Sequence, residues 1–452
     1  MTEIHDIAII GGGASATLLA WNLRHRHSRG CVVIDPGPQP ALGLAYGTHS
    51  VENLLNVPAS GMSALADEAG HFLGWLRRKI DPEIGAGAFI PRAIYGLYLQ
   101  DLFRQAAPLH IRARVERCAP DADITTLHLD DGRCLRARHV VLALGHFAPP
   151  LLPGIPADLL ESGCYHHQVW AGGVIEAIKP TDPVLLIGSG LTAVDQIMQL
   201  RAAGHAGKIT IISRHAQFPS RHAPAPKLDA PVIAPGACAP RCTAYLRLFN
   251  TALKQGIPWR ACIDSLRPVT NQLWAALLPQ ERARFRRHLQ RRWDVVRHRM
   301  APRIAEALDA GLASGTLSLR AGHLQKIEAV ADGLRVTVRY HDRIEILHAA
   351  HVLNCTGPSL RYDRVNSPVL RDLLDRKFAR TGQGGAGLDT TERGQLVASD
   401  GTARQALYTL GPARQGTLFE SIAIPEIRGQ AYDLATTLDG LLTQAPLQDL
   451  CA

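Results

Sequence analysis

Two glycine-rich turns are the parts of this sequence whose residue types and spacing could bind a phosphate. In the first, IAIIGGGASA, Gly11, Gly13 and Ala16 follow the pattern G-x-G-x-x-G/A after an apolar run. The first glycine of this pattern permits a tight turn, the second lets a pyrophosphate approach the backbone, and the third small residue lets helix and strand pack closely. The start of the following helix adds unpaired N–H groups and about half a positive charge. We therefore predict that a dinucleotide binds at this turn.

An acidic residue at the expected distance supports this interpretation. A second apolar run, CVVID, ends at Asp35, about 20 residues after the turn, where a carboxylate is expected to bind the ribose hydroxyls. The alternative, a glycine-rich loop without a ligand, does not require an acid at that point.

The second turn, LLIGSGLTA, repeats the pattern with Gly188, Gly190 and Ala193. Its next apolar run, KITIISR, ends in Ser213 and Arg214 rather than in an acid. A carboxylate there would repel a 2′-phosphate, whereas an arginine pairs with it. The sequence therefore predicts that NADPH binds at this turn, with NADH as the other possible nucleotide. The alternative is that Arg214 only caps a strand end on the surface.

A longer repeat encloses both turns. Each is followed by a β-rich stretch that closes on a similar strand, HVVLALG ending at Gly145 and HVLNCTG ending at Gly357. The first stretch contains a hairpin turn at Asp131–Gly132, and the Pro-rich HFAPPLLPGIP then reads as the linker between the halves. Two such halves predict an α/β fold with two Rossmann-like dinucleotide-binding domains and appended β-meanders.

Three further stretches resemble a known family. GLAYGTHSVENLLNVPASGMSAL, HFLGWL and FIPRAIYGLYLQDL are similar to bacterial FAD/NAD(P)-binding proteins with a GLAYGT…LLNVPA signature, among the two-dinucleotide-binding flavoproteins. The resemblance covers nearly the whole chain. It implies FAD at the first turn, where Gly11, Gly13, Ser15 and Asp35 match the FAD motif, and an NAD(P) domain inserted within the FAD domain. The implied domains are 1–150 for FAD, 151–350 for NAD(P)H with a helical insertion at about 225–315, and 351–452 for the return to the FAD domain.

The resemblance also assigns three strand-end glycines. It implies that Gly145 and Gly357 lie beside the two cofactors, and that Gly411 precedes the flavin-facing helix. Pro412 stands where the superfamily has an aspartate that holds the ribityl chain. That contact is therefore expected from elsewhere, for example from backbone N–H groups near Thr417–Glu420.

The reaction implied by the resemblance is that of a flavin-dependent NAD(P)H monooxygenase acting on a small molecule with molecular oxygen. Members with an assigned reaction include a urate hydroxylase, which makes urate the specific expectation, and related enzymes hydroxylate amine or amino-acid nitrogens, which is the alternative. A reductase or electron-transfer module without its own oxygenation is a third hypothesis. A disulfide reductase is disfavoured because the segment Gly43–Leu76 contains no cysteine.

Several single residues are weaker candidates. Asn56 in LLNVPASGM is the predicted catalytic residue, a donor to flavin N5 or to oxygen, with an Asx turn before Pro58 as the alternative. Met62 either lines the flavin ring or fills the core. Arg92, in the first turn of a predicted helix that begins at Pro91, indicates an anionic partner or is a surface residue. His146 follows the LALG strand end, beside FAD or at a domain interface.

The basic segment Arg282–Arg299 carries much of the net charge of +9. We predict a basic helix on which Trp293, Arg297 and Met300 share one face, either as an anion site or as the edge of the core. Nucleic-acid binding is disfavoured because the segment lacks a series of stacking aromatics.

Composition and cysteine spacing argue against a membrane protein, a secreted protein and a zinc protein. The sequence contains no run of about 18 apolar residues, so we expect no membrane-spanning helix. The first apolar run leads directly into the glycine turn, without the basic, apolar and cleavage regions of a signal peptide. The nine cysteines are scattered, without zinc-site spacing. We expect free thiols, no metal and a cytoplasmic protein; the oligomeric state is not readable.

Overall fold

The computed structural model describes residues 3–48, 50–121 and 123–444, with the side chain of Gln405 left out. The described residues form two compact units. Unit 1 lies within Met1–His49, Pro58–Phe147 and Leu360–Ala452, and unit 2 within Ser50–Val57 and Ala148–Ser359. The chain therefore leaves unit 1 for unit 2 and later returns to it, and the assignment of the two units to FAD and NAD(P) stays a prediction. Two boundaries differ from the expected ones: Ser50–Val57 belongs to unit 2, and the chain returns to unit 1 at Leu360 rather than at residue 351.

The first part of unit 1 contains the first glycine turn. Its strands are β1 (Ile4–Ile10), β2 (Val32–Ile34), β3 (Leu109–Ile111), β4 (Val115–Asp121), β5 (Ile124–Leu129) and β6 (Cys134–Leu142), and its helices are α1 (Ala14–His27), α2 (Gly43–Tyr46), α3 (His71–Lys79) and α4 (Arg92–Ala106). A 3₁₀ turn spans Ala59–Gly61.

Unit 2 follows in the chain. Its strands are β7 (Tyr165–His166), β8 (Val184–Ile187), β9 (Ile209–Ser213), β10 (Leu317–Ala321), β11 (His323–Val330), β12 (Gly333–Tyr340), β13 (Arg343–Ala349) and β14 (His351–Asn354). Its helices are α5 (Leu191–Ala202), α6 (Cys242–Lys254), α7 (Trp259–Leu266), α8 (Thr270–Ala276), α9 (Pro279–His288), α10 (Gln290–Arg297) and α11 (Pro302–Ala313). The return to unit 1 adds α12 (Pro368–Asp375), β15 (Gln395–Val397), β16 (Ala403–Thr409) and α13 (Ile424–Gln444).

The main sheet of unit 1 has the order β15-β16-β6-β1-β2-β3, and β4 and β5 continue from β6 as an antiparallel meander. The strands β16, β6, β1, β2 and β3 run parallel. Residues 7–10 of β1 are buried without alternation, as expected for a central parallel strand covered on both faces. The predicted hairpin turn joins β5 to β6, and the N–H of Gly132 donates to the carbonyl of Leu129 at 3.1 Å.

Unit 2 has a parallel sheet in the order β10-β9-β8-β14-β7 and a separate antiparallel sheet β11-β12-β13. In unit 1 the last meander strand and the central strand are one element, β6, whereas in unit 2 they are β13 and β14, separated at Ala350. β14 pairs with β8 in the register Leu353↔Leu186, which is why the chain after residue 350 still belongs to unit 2.

The two glycine turns have the same backbone geometry. The N–H of Gly11 donates to the carbonyl of Ile34 at 2.8 Å, and the N–H of Gly188 donates to the carbonyl of Ile212 at 2.8 Å. The φ angles of the two glycines are +101° and +111°. The repeat that the sequence predicts is therefore a structural repeat, and the fold-class prediction is confirmed.

The basic segment is not the single helix that we predicted. α9 ends at His288 and α10 spans Gln290–Arg297, so Met300 lies outside the helix that holds Trp293 and Arg297. The N–H of Met300 instead donates to the carbonyl of Ser220 at 3.0 Å. The predicted three-residue face is wrong because this backbone pairing ends the helix. None of the described helices is both long and apolar enough to cross a bilayer.

The turn geometry predicts unequal effects for two neighbouring glycines. A Cβ on Gly188 would lie 2.4 Å from the carbonyl oxygen of Cys355, whereas a Cβ on Gly190 would meet nothing within 4 Å. We expect Gly188→Ala to lower the free energy of unfolding by about 2–4 kcal/mol, because φ is positive and the clash is with backbone. Gly190→Ala, the matched control, should lower it by no more than about 1 kcal/mol, because alanine is only a poorer N-cap residue than glycine. Urea denaturation measures both, and equal losses would contradict the analysis.

Candidate functional site: two dinucleotide turns

The first glycine turn is formed by backbone packing at the carboxyl ends of β1 and β6. A Cβ on Gly11 would lie 2.4 Å from the carbonyl oxygen of Ala143, so only glycine fits this position. Gly13 is the N-cap of α1, with φ −79° and ψ −164°, and no side chain caps the helix. The first turn of α1 also contains no acidic residue. Among the described residues, no side chain therefore caps the end of α1 that carries partial positive charge.

The buried start of α1 is suited to a phosphate ligand. Ser15 is 6% exposed and Ala16 is fully buried, and Thr17 is the first residue of α1 whose N–H donates to the carbonyl of the N-cap residue Gly13. Buried N–H groups at a helix start require an acceptor, and a pyrophosphate is a suitable one. The first-turn residues therefore fit the phosphates of a dinucleotide.

Asp35 holds the two loops that border this turn. One carboxylate oxygen accepts the N–H of Gly12 at 2.7 Å, and the other accepts the N–H of Gly37 at 2.7 Å. A Cβ on Gly12 would lie 2.8 Å from the Cβ of Asp35, so the loops are in close contact. Each carboxylate oxygen retains a second lone pair, which can accept a ribose hydroxyl. Asp35 thus has a structural role that sequence analysis did not predict, and its geometry also fits the predicted one.

The return segment lies directly against α1. Gly411 has φ +74°, and a Cβ there would lie 2.4 Å from the Ser15 Oγ. Its N–H donates to the Gln430 Oε1 at 2.9 Å, and the Ser421 hydroxyl donates to its carbonyl. Gln430 Nε2 in turn donates to the Ser421 Oγ at 3.1 Å. Gln430 and Ser421 were missed by sequence analysis because nothing in their local pattern indicates that they hold a turn ten to twenty residues away.

Two of the backbone N–H groups near Thr417 that we expected to be available to a ligand already donate hydrogen bonds within the chain. The N–H groups of Thr417 and Leu418 donate to the carbonyl of Arg414 at 3.0 and 2.8 Å. The Thr417 hydroxyl accepts the N–H of Thr390 at 2.8 Å. These two N–H groups are thus already paired beside the 3₁₀ turn Gly411–Gly416, and the group that binds the ribityl chain stays a prediction.

The end of β6 carries the two remaining candidates of unit 1. Gly145 has φ +66°, and its carbonyl accepts the hydroxyl of Tyr362 at 3.2 Å. Burial lowers the pKa of the neighbouring His146 to about 4, so its ring is neutral at pH 7. A neutral ring at the carboxyl edge of the sheet can donate or accept one hydrogen bond without adding charge.

The second glycine turn repeats the first in unit 2. Gly190 is the N-cap of α5 with φ −82° and ψ −172°, again without a side-chain cap or an acid in the first turn. Ala193 is fully buried against the sheet. Gly357, which was predicted beside a cofactor, has φ +86° after β14. The second turn therefore offers the same fit to a pyrophosphate.

The two turns differ in the residues that join their loops. Ser189 occupies the place of Gly12, and Ser213 occupies the place of Asp35; the Ser189 hydroxyl lies 2.8 Å from the Ser213 Oγ and 2.7 Å from the carbonyl of Gln217. Arg214 follows at the strand end and is exposed. Where unit 1 has a carboxylate, unit 2 has two hydroxyls and an adjacent cation.

Asn56 lies in the segment Ser50–Val57, which packs with unit 2. Its carbonyl accepts a hydrogen bond from His222 Nε2 at 3.0 Å, and the nearby Asn53 Oδ1 accepts the Gln199 amide at 3.2 Å. The Asn56 side chain makes no hydrogen bond within the described part of the chain, so the Asx turn that was the alternative is not formed. Its predicted catalytic role stays a prediction.

The other single candidates have distinct environments. Met62 is 4% exposed, and its carbonyl accepts the Tyr95 hydroxyl at 3.0 Å.

α4 begins at Arg92 with Pro91 as its N-cap, one residue later than predicted. Burial raises the pKa of Tyr46 to about 12, and the nearby charge of Arg92 opposes this shift. Arg92 therefore interacts electrostatically with the half-buried phenol of Tyr46 within unit 1.

The cysteines of the described residues form no disulfide, and the expectation that the protein holds no metal stays a prediction. These cysteines are all free, and Cys451 lies outside the described residues. Among the described residues there is no group of three metal-ligating side chains.

Comparisons with known proteins agree with this geometry. Residues 8–147 match a family described as FAD-NAD(P)-binding. An uncharacterized protein of Mycobacterium tuberculosis is 23% identical, with 96% of this chain and 95% of that protein covered. The L-aspartate N-monooxygenase (nitrosuccinate-forming) of Streptomyces cremeus is 36% identical over 139 residues, which are 27% of this chain and 21% of that protein.

Solved structures share the fold over nearly the whole chain. An FAD-bound cadaverine monooxygenase of Erwinia amylovora has a TM-score of 0.68 at 15% identity, covering 97% of this chain and 95% of that one. The ornithine hydroxylase of Pseudomonas aeruginosa has a TM-score of 0.65 at 16% identity, covering 97% and 100%. A bacillithiol disulfide reductase of Bacillus cereus also shares the fold, with a TM-score of 0.59 at 14% identity, covering 97% and 100%.

The chain thus has the mixed α/β fold of these enzymes, and its residues 8–147 carry the FAD-NAD(P)-binding family segment, which supports the predicted cofactors, FAD and NAD(P).

Proposed function

We propose that this protein is a flavin-dependent monooxygenase that consumes NADPH and oxygen and hydroxylates the nitrogen of an amine or amino acid. The observation that carries the proposal is the pair of glycine turns with matching backbone geometry but opposite charge at the ribose-binding position. One turn ends in Asp35 and the other in Ser213 and Arg214. This difference is what two unlike dinucleotides require of one fold.

In this proposal, separate groups of residues bind the two cofactors. Gly11, Gly13 and the start of α1 bind the FAD pyrophosphate, and Asp35 orients its ribose. Bound FAD would accept a hydride from NADPH and activate oxygen. The Gly188–Gly190 turn and α5 bind the pyrophosphate of NADPH. Few titrating side chains are needed, because the protein mainly positions the cofactors and excludes water.

The comparisons favour nitrogen hydroxylation over the urate reaction that the sequence resemblance suggested. The relative with a matching segment at 36% identity is an amino-acid N-monooxygenase, and the fold is shared with a cadaverine monooxygenase and an ornithine hydroxylase. None of the similar proteins named above with a stated activity is a urate hydroxylase. The same fold also supports disulfide reduction, but residues Gly43–Leu76 contain no cysteine to carry it.

A substrate screen tests the reaction. We expect NADPH oxidation to rise at least several-fold with one amine or amino acid and to yield a product one oxygen atom heavier at nitrogen. Mass spectrometry of the product and the ratio of product to NADPH are the measurements. Stimulation by urate with oxidised purine as product would overturn the substrate class. Oxidation that yields hydrogen peroxide with every substrate would favour the electron-transfer module.

FAD retention tests the first turn. We expect Asp35→Ala to weaken FAD binding at least tenfold, because the carboxylate holds two loop N–H groups and each charge-assisted hydrogen bond is worth about 1.5–3 kcal/mol. Asp131→Ala is the matched control, since Asp131 lies in an exposed hairpin and pairs with Arg133. Flavin absorbance and titration of the apoprotein measure the effect. Equal affinity in the two variants would argue against the assigned role.

Asn56 can be tested separately from stability. Its side chain has no hydrogen-bond partner among the described residues, so we expect Asn56→Ala to leave the unfolding temperature within about 2 °C while lowering the product formed per NADPH. Asn53→Ala is the contrasting control: Asn53 is fully buried, accepts the Gln199 amide, and should destabilise the fold. Unchanged coupling of NADPH to product in Asn56→Ala would remove this residue from the reaction.

A further inference from the structure

The helical insertion of unit 2 reaches into the second glycine turn. Arg291, on α10, donates through Nη2 to the Ser189 Oγ at 3.0 Å and to the carbonyl of Gln217. Ser189 lies inside the glycine turn, and Gln217 lies in the loop that follows β9. One guanidinium from the insertion therefore connects both loops that border the expected adenosine position.

A second cation lies close to this guanidinium. Burial and the positive charge of Arg214 lower the pKa of Arg291, and Asp294 opposes this shift. Neither Arg291 nor Arg214 forms an ion pair with a described residue, and Arg214 is exposed after the end of β9. Two like charges at one loop repel each other, and a dianion between them would reverse the sign of that interaction.

The hydroxyls of Ser189 and Ser213 lie beside these two arginines in the loops of the second turn. Ser213 accepts the N–H of Ala216 at 3.1 Å, which holds its Oγ at the mouth of the loop. In the other half of the chain, Asp35 fills the corresponding position with a negative charge. The loops of unit 2 are thus joined without any carboxylate, in a place where the first turn depends on one.

We propose that Arg291, together with Arg214 and Ser213, binds the 2′-phosphate of NADPH, so that the helical insertion determines the choice between NADPH and NADH. The inference rests on the proposed function for the presence of a pyridine nucleotide at this turn. It adds a specificity-determining residue, 78 positions after the end of β9 at Ser213, that no local motif indicates. A planar guanidinium with several donors can bind a phosphate oxygen while it keeps a hydrogen bond to a loop.

The alternative is that Arg291 only fastens the two loops together. In that case its loss would disturb the turn itself and weaken both nucleotides equally. The difference between the affinities for NADP⁺ and NAD⁺ separates the two roles, because the two ligands differ only in the 2′-phosphate.

Calorimetric titration of the purified FAD-loaded protein with NADP⁺ and with NAD⁺ tests the proposal. We expect Arg291→Ala to weaken NADP⁺ about tenfold to a hundredfold and NAD⁺ less than threefold. Arg214→Ala should act in the same direction. Arg292→Ala, which removes an exposed arginine next to Arg291 on the same helix, should change either affinity less than twofold.

A second variant keeps the test decisive if Arg291→Ala is poorly folded. Ser213→Asp places a carboxylate where the first turn has Asp35, and we expect it to weaken NADP⁺ at least tenfold while NAD⁺ binding is kept. Equal loss of both ligands in Arg291→Ala, or unchanged selectivity in both variants, would overturn the assignment. If the wild-type protein binds NAD⁺ and NADP⁺ equally, only this inference fails; if it binds neither, the proposed function itself fails.

Discussion

The contact on which the rest of the structure depends is the close approach of backbone to backbone at the carboxyl ends of the central strands. In both units the first glycine of the turn lies so near the carbonyl of a neighbouring strand end that a Cβ would stand 2.4 Å from its oxygen. This packing lets the chain turn sharply from strand into helix. Its consequence is that two helices, α1 and α5, begin at the sheet edge with uncapped N–H groups. A bound phosphate can accept hydrogen bonds from these N–H groups.

Once the two turns are equal in backbone geometry, chemical differences between them must come from side chains. The first turn is closed by a carboxylate that accepts two loop N–H groups, and the second by serine hydroxyls and an arginine from a distant helix. Because the backbone is the same in both turns, the proposed function assigns the distinction between the two ligands to the charge at the end of the second strand. In the proposed role of Arg291, the helical insertion adds to this distinction, although it lies outside the Rossmann core.

The return segment illustrates how a departure from a familiar pattern is accommodated. Pro412 cannot accept the role of an aspartate, and the N–H groups of Thr417 and Leu418 are used within their own turn. The turn is instead held by Gln430 and Ser421, which bind both polar groups of Gly411. This network keeps Gly411 against Ser15, so the return segment is fixed by polar contacts rather than by the superfamily's acidic residue.

The sequence by itself determined the two glycine turns, Asp35, Arg214 and the paired meanders, because each depends on short-range spacing and on the steric freedom of glycine, whereas the insertion of one domain in the other was implied only by the family resemblance. The sequence did not determine that Ser50–Val57 packs with unit 2, that the basic segment breaks after His288, or that Gln430 and Arg291 reach turns far away in the chain. Those features depend on which distant backbone groups need a partner. Only the tertiary structure brings such groups within hydrogen-bond distance, and a linear pattern carries no record of it.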